Sequence, residues 1–185
     1  MDSLFRRALI ERLQTYQHFF AEERSAIPRF MELLQSGDAY ERLHMPGHIT
    51  GSAWIVDPGR TQTLLVHHAK LNKWVQPGGH ADGDANLVRV ALREAEEESG
   101  LRDLVAEPDI FDLDRHRIPA RGDEPEHWHY DVRHVVRAIG GEDFVVGEES
   151  HALAWRDIAA IANDESADES LRRMARKWLA RGVKA

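Results

Sequence analysis

Apolar positions recur at three- and four-residue steps through residues 3–36, where Leu4, Phe5, Ala8, Leu9, Leu13, Tyr16 and Phe20 form one stripe. That period predicts amphipathic helix, and Pro28 divides the stretch into two helices, the second ending near Gly37. From Ile49 the texture changes to short apolar runs, Ile49–Val56 and Leu64–His68, on either side of Asp57-Pro58-Gly59-Arg60. Two such runs around a turn of that chemistry predict a hairpin. Gly78-Gly79 interrupts the pattern, and a helix follows from about Ala85 to Ser99, with Asp84 as its expected N-cap and Gly100 as its stop. Further strands are expected at Leu104–Leu113, His129–Ala138 and Ala152–Trp155, and a last helix around Ser170–Arg181. Strands flanked by helices and joined by hairpins imply a mixed α/β sandwich rather than a strictly alternating parallel fold.

Composition narrows the function classes. A chain of 185 residues, 42% apolar and 30% charged, accommodates one domain and an extension. There is no cysteine, which removes disulfides, thiolate zinc sites and a cysteine nucleophile. No apolar run approaches the ~20 residues of a membrane span, and Arg6, Arg7, Glu11 and Arg12 interrupt any signal-peptide pattern. The expectation is a cytoplasmic protein without a membrane partner. A net charge of −8 disfavours nucleic acid and suits a protein that holds an anionic substrate through bound cations. Arg172, Arg173, Arg176, Lys177 and Arg181 on the last helix are expected to form a solvated face.

The central helix carries the candidate chemistry. Each helical residue turns roughly 100°, so Glu97 and Glu98 fall within about 60° of Glu94. Val88, Ala91, Leu92 and Ala95 form the adjoining apolar arc, and Arg89, Arg93 and Glu96 lie opposite. Two carboxylates ~6 Å apart repel by ~0.7 kcal/mol in water but ~3 kcal/mol at an effective dielectric near 20. On a convex surface the trio is an ordinary acidic face; at a cleft floor it needs a cation. Hard oxygen donors on one face suit Mg²⁺ or Mn²⁺.

The stretch from Gly79 to Leu101 resembles the Nudix box, G-x5-E-x7-R-E-U-x-E-E-x-G-U with U aliphatic. Gly79, Arg93, Glu94, Glu97, Glu98, Gly100 and Leu101 match, Ala95 is a small version of U, and Ala85 replaces the first glutamate. The preceding Trp74-Val75-Gln76-Pro77-Gly78 also looks like the lead-in to that box. The resemblance implies a Nudix α/β/α sandwich with a mixed sheet over residues 45–160, an N-terminal helical extension over 1–44 and a C-terminal helix over 161–185. The extension has three roles open to it: capping the site, building a homodimer interface, or covering one sheet face.

By the same resemblance, the activity is divalent-metal-dependent hydrolysis of the diphosphate linkage in a nucleoside diphosphate derivative. Glu94, Glu97 and Glu98 would bind Mg²⁺ or Mn²⁺, the Gly79 carbonyl would add a ligand, and Arg93 would orient a box carboxylate. The base would come from the box or from a later loop, where Glu148 and Glu149 are candidates. Asp82 is the chosen substitute for the carboxylate missing at Ala85. His127 and His129 share a strand face with Asp131, a trio able to bind a transition metal or to line the substrate cleft. His80 would touch phosphate or ribose, and Trp74, Trp128 and Tyr130 are candidate stacking surfaces. Two other classes share the family: a non-catalytic ligand sensor, which usually has a degraded box, and an isomerase resembling one that needs a catalytic cysteine.

Overall fold

The centre of the sheet is a parallel pair, β1 (Gly47–Val56) beside β7 (His127–Ala138), in register from Gly47 opposite Trp128 to Val56 opposite Arg137. This computed structural model describes residues 2–20, 23–69, 72–147 and 150–182. A parallel pair needs a long crossover, and everything between β1 and β7 supplies it. β2 (Gln62–His68) folds back on the end of β1, and β4 (Gly78–His80) pairs with Thr50–Ser52 nearer its start. β3 (Lys73–Val75) and β8 (Ser150–Asp157) flank β2, while β5 (Leu104–Ala106) and β6 (Asp112–Ile118) pair with β7.

Helices cover both faces, which is why every position of β1 is buried. On one face lie α1 (Asp2–Phe19), α2 (Ile27–Leu33) and α3 (Leu87–Ser99), packing Leu9, Leu13, Phe30 and Val90 over Ile49 and Val132. Farther along, Ala91 and Ala95 of α3 meet Ala53 and Ile55. On the other face α4 (Ile158–Asn163) and α5 (Glu169–Gly182) enclose Trp54, Val56 and Phe111 with Ile158, Leu171 and Met174. The layers are the expected α/β/α sandwich with N-terminal helices, and the structure shows those helices covering a sheet face. Gly51 sets the depth of α3: a Cβ there would stand 2.8 Å from Val90 Cγ1, so a side chain would push the helix off the sheet.

Several details differ from the sequence expectation. Residues 104–113 are not one strand; Pro108 lies in the gap between β5 and β6, where it cannot donate to a ladder. The helix α4, six residues long, was not anticipated. Asn86, not Asp84, caps α3, accepting from Arg89 N–H at 3.3 Å. Asp84 instead accepts from Asn86 N–H at 2.8 Å and pairs with Arg89 through two bonds of 2.6 and 2.8 Å.

The basic residues of α5 are not a uniform solvated face. Arg173 grips Asp112 through bonds of 2.9 and 2.8 Å, and Lys177 reaches the same carboxylate at 2.6 Å. Lys177 also pairs with Glu23, while Arg133 from β7 contacts Asp112, Asp114 and Asp131 at 3.1, 3.2 and 2.7 Å. These bonds fasten α5 and the α1–α2 turn to the strands.

Candidate active site

The box helix points its acidic face at β4 because the backbone of β4 can come close to it. A Cβ at Gly79 would stand 2.5 Å from Glu94 Oε2, so only glycine lets that carboxylate lie against the strand. Arg93 donates to Glu94 Oε1 at 2.7 Å and to the His80 carbonyl at 2.8 Å, joining helix and strand. Gly78 N–H donates to Glu98 Oε1 at 2.9 Å. Glu94 and Glu98 are half-buried and Glu97 is exposed. Burial pushes the Glu94 carboxyl above its usual range; Arg93 opposes this, and Glu97 and Asp82 add to it.

Asp82, the chosen substitute ligand, is held by Arg42 through two bonds of 2.5 Å, and that partner keeps its carboxyl below the usual range. Ala85 is 4% exposed and packs in the apolar cluster with Leu9, Phe30 and Ile49. It packs among side chains of the N-terminal helices and β1, which makes it a core position. We expect Ala85→Glu to leave the divalent-metal requirement unchanged and to cost about 1–3 kcal/mol, because a carboxylate enters apolar packing. Thermal unfolding and a metal titration check this, and a lowered metal requirement would show that position 85 reaches the site.

The opposite face of the sheet holds a group of histidines. Side chains alternate along β1, so His48, Thr50 and Ser52 lie on the face of Trp54, away from α3. His48 is opposite His129 in β7, His129 is opposite His116 in β6, and His80 is opposite Thr50. The His48 ring is 5.1 Å from that of His80, 5.0 Å from His127 and 4.9 Å from His129. Burial, then the neighbouring imidazoles His80 and His127, pull the His48 pKa to about 4, with the His44 backbone opposing. Burial, then His48 and His116, pull that of His129 to about 2. Both shifts disfavour the charged form of His48 and His129.

The other candidates scatter. Asp131 does not join His127 and His129 as a ligand: it accepts from Thr50, Ser52 and Arg133 at 3.0, 2.8 and 2.7 Å. Tyr130 turns to the other face, 8% exposed and edge-on to Phe30 at 5.2 Å, so it is core and not a stacking surface. Trp128 is capped by the Arg115 guanidinium, 3.5 Å from the ring centre. Trp74 packs beside Trp54 with Arg156 over it at 4.5 Å. Glu148 and Glu149 lie outside the described residues. Sequence reasoning missed His48, His116 and Arg42. The polar alternation His48, Thr50, Ser52 inside a strand was the available signal for the first.

The fold is an α/β/α sandwich whose central helix sets glutamates against a glycine strand, and comparison with known proteins places it in a family. A family model described as NUDIX domain matches residues 48–178. A C. elegans Ap4A hydrolase binary complex is similar at 17% identity and TM-score 0.58, over 74% of this chain and 98% of that one. A MutT protein from Methanosarcina mazei Go1 is similar at 22% identity and TM-score 0.56, over 77% and 99%. The NUDIX domain of Shewanella oneidensis NrtR, complexed with ADP ribose, is similar at 17% and TM-score 0.51, over 84% and 98%. No curated protein matches the chain. The structural likenesses establish the fold, and the domain match establishes the family. The chain belongs to the Nudix family. Among the described residues, no helix is long and apolar enough to cross a membrane.

Proposed function

We propose that this protein is a Mg²⁺- or Mn²⁺-dependent pyrophosphohydrolase that cleaves the diphosphate linkage of a nucleoside diphosphate derivative. The observation that carries the reading is the placing of Glu94 and Glu98, half-buried and drawn against β4 by Arg93, Gly78 and Gly79. A carboxylate whose burial opposes its charge is suited to a cation, and all-oxygen donors fit a hard one. Glu94, Glu97 and Glu98, with the Gly79 carbonyl, would hold it. Such a cation neutralises a diphosphate and lowers the pKa of water.

The protein groups then have separate tasks. Arg93 fixes the Glu94 rotamer, and the Gly78 amide fixes that of Glu98. Glu97, exposed and without such a tether, is the box candidate for taking the proton from water; Glu149 is the loop alternative. His80, His127, His129 and Trp74 share one sheet face; Trp74 and His127 are proposed to contact the substrate directly, and His80 and His129 directly or through an ion they bind. Similarity to the C. elegans Ap4A hydrolase and to the NrtR domain complexed with ADP ribose supports a nucleotide-derived substrate.

The test is turnover of a panel of nucleoside diphosphate derivatives with Mg²⁺ and with Mn²⁺, reading nucleotide release. Metal-dependent release from one member supports the reading; binding without release would make the chain a ligand sensor. Asp82 is proposed as a further metal contact, with Arg42 as its competitor. Asp82→Asn should raise the Mg²⁺ concentration for half-maximal rate roughly tenfold, and Arg42→Gln should lower it, each partly exposed charge contributing ~1 kcal/mol. Equal metal requirements in both variants would remove Asp82 from the site.

A further inference from the structure

We propose that His48, His80 and His129 form a second metal site, distinct in chemistry from the box carboxylates and selective for a borderline transition ion such as Zn²⁺. Each of the three offers one ligand atom, and these atoms lie within 4.8 Å of one another. Zinc binds imidazole nitrogen at about 2.0–2.1 Å, which puts tetrahedral nitrogens roughly 3.4 Å apart. Binding an ion therefore requires the three rings to draw together. Among the described residues, Glu94, Glu97 and Glu98 do not form such a trio.

The second observation is His48 itself. It is 1% exposed, and neither of its ring nitrogens has a hydrogen-bond partner of ordinary geometry. A buried imidazole without a well-formed hydrogen bond is costly, and this one stands among His80, His127 and His129 rather than among apolar groups. A cation is the partner common to several lone pairs that converge.

The neighbours border the arrangement. His127 donates Nδ1–H to the Pro125 carbonyl at 2.9 Å, which leaves its Nε2 as a lone pair, 3.2 Å from His129 Nε2. His127 borders the trio without belonging to it, and its Nε2 can accept from His129 Nε2–H when no ion is bound. Glu124, 3.8 Å from His127 Nε2, supplies nearby negative charge. Asp131 is not available, being taken by Arg133, Thr50 and Ser52.

All-nitrogen donors favour Zn²⁺, Co²⁺ or Ni²⁺ over Mg²⁺, which prefers oxygen. The two sites are therefore separable by metal. Full-length protein stripped with chelator is titrated with Co²⁺ alone and then Zn²⁺ alone, following visible absorption and calorimetric heat, with and without excess Mg²⁺. The expected result is one Co²⁺ per chain with four-coordinate absorption, displaced by Zn²⁺, unaffected by Mg²⁺ and retained in Glu98→Gln. Loss of a direct ligand should exceed the ~100-fold effect of losing an outer partner, so His80→Gln and His129→Gln should each weaken binding more than ~100-fold. Both positions are half-buried, and melting temperature without metal confirms that they fold. No uptake by wild type, wild-type affinity in both histidine variants, displacement by Mg²⁺ or loss in Glu98→Gln would each overturn the proposal.

Discussion

Glu98→Gln is expected to fold as the wild type does and to turn over substrate roughly 10²-fold more slowly or worse. The substitution keeps an oxygen where Gly78 N–H now donates at 2.9 Å, so the tether between α3 and β4 survives. Only the charge disappears, and helix propensity barely changes. The same change at Glu97, which is exposed and has no backbone tether to lose, should be equally damaging to rate and still milder in stability. Steady-state rates with a confirmed substrate across a Mg²⁺ titration, alongside thermal melts, give the answer. Wild-type rates in both variants at ordinary Mg²⁺ would remove the box carboxylates from the chemistry.

The second large effect concerns stability. Asp112 is fully buried and accepts from Arg133, Arg173 and Lys177 together. Asp112→Ala leaves three cations around an empty acceptor, and breaking a buried pair in this way costs about 3–5 kcal/mol. Domains are stable by only about 5–15 kcal/mol, so a large part of the total is at stake. The pH dependence gives an independent signature. Burial would raise the Asp112 carboxyl, but Arg173, Arg133 and Lys177 hold it below the ordinary 3.8. A depressed folded-state pKa contributes stability that is present above the unfolded value and lost as pH falls below it. Wild type should therefore weaken below about pH 4 more steeply than Asp112→Ala does. Urea unfolding at pH 7 and at pH 3.5 tests both points; a loss under ~1 kcal/mol at pH 7 would mean the cations re-pair with Asp114 and Asp131.

The main elements were legible because their signals are local. The heptad-like spacing of α1, the Pro-Gly turn between β1 and β2, and the Gly100 stop are each set by a few neighbouring residues. Gly100 has φ 67°, a conformation glycine adopts without a Cβ penalty. The three glutamates were readable for the same reason, since helical spacing alone puts them on one side.

What the sequence left open depended on partners distant along the chain. Arg173 looked solvent-facing on its own helix, yet Asp112, 61 positions away, draws it inward. Asp82 looked free in its loop until Arg42, 40 positions earlier, closed on it. Ala85 read as a lost ligand, and only the packing of α1 and α2 shows it to be a core residue. The histidines make the same point most strongly. His127 and His129 suggested a strand face, but His48 and His80 arrive from β1 and β4, and only strand register brings the rings together. Periodicity along one element determines which side a residue faces; which elements share that side is decided by long-range pairing.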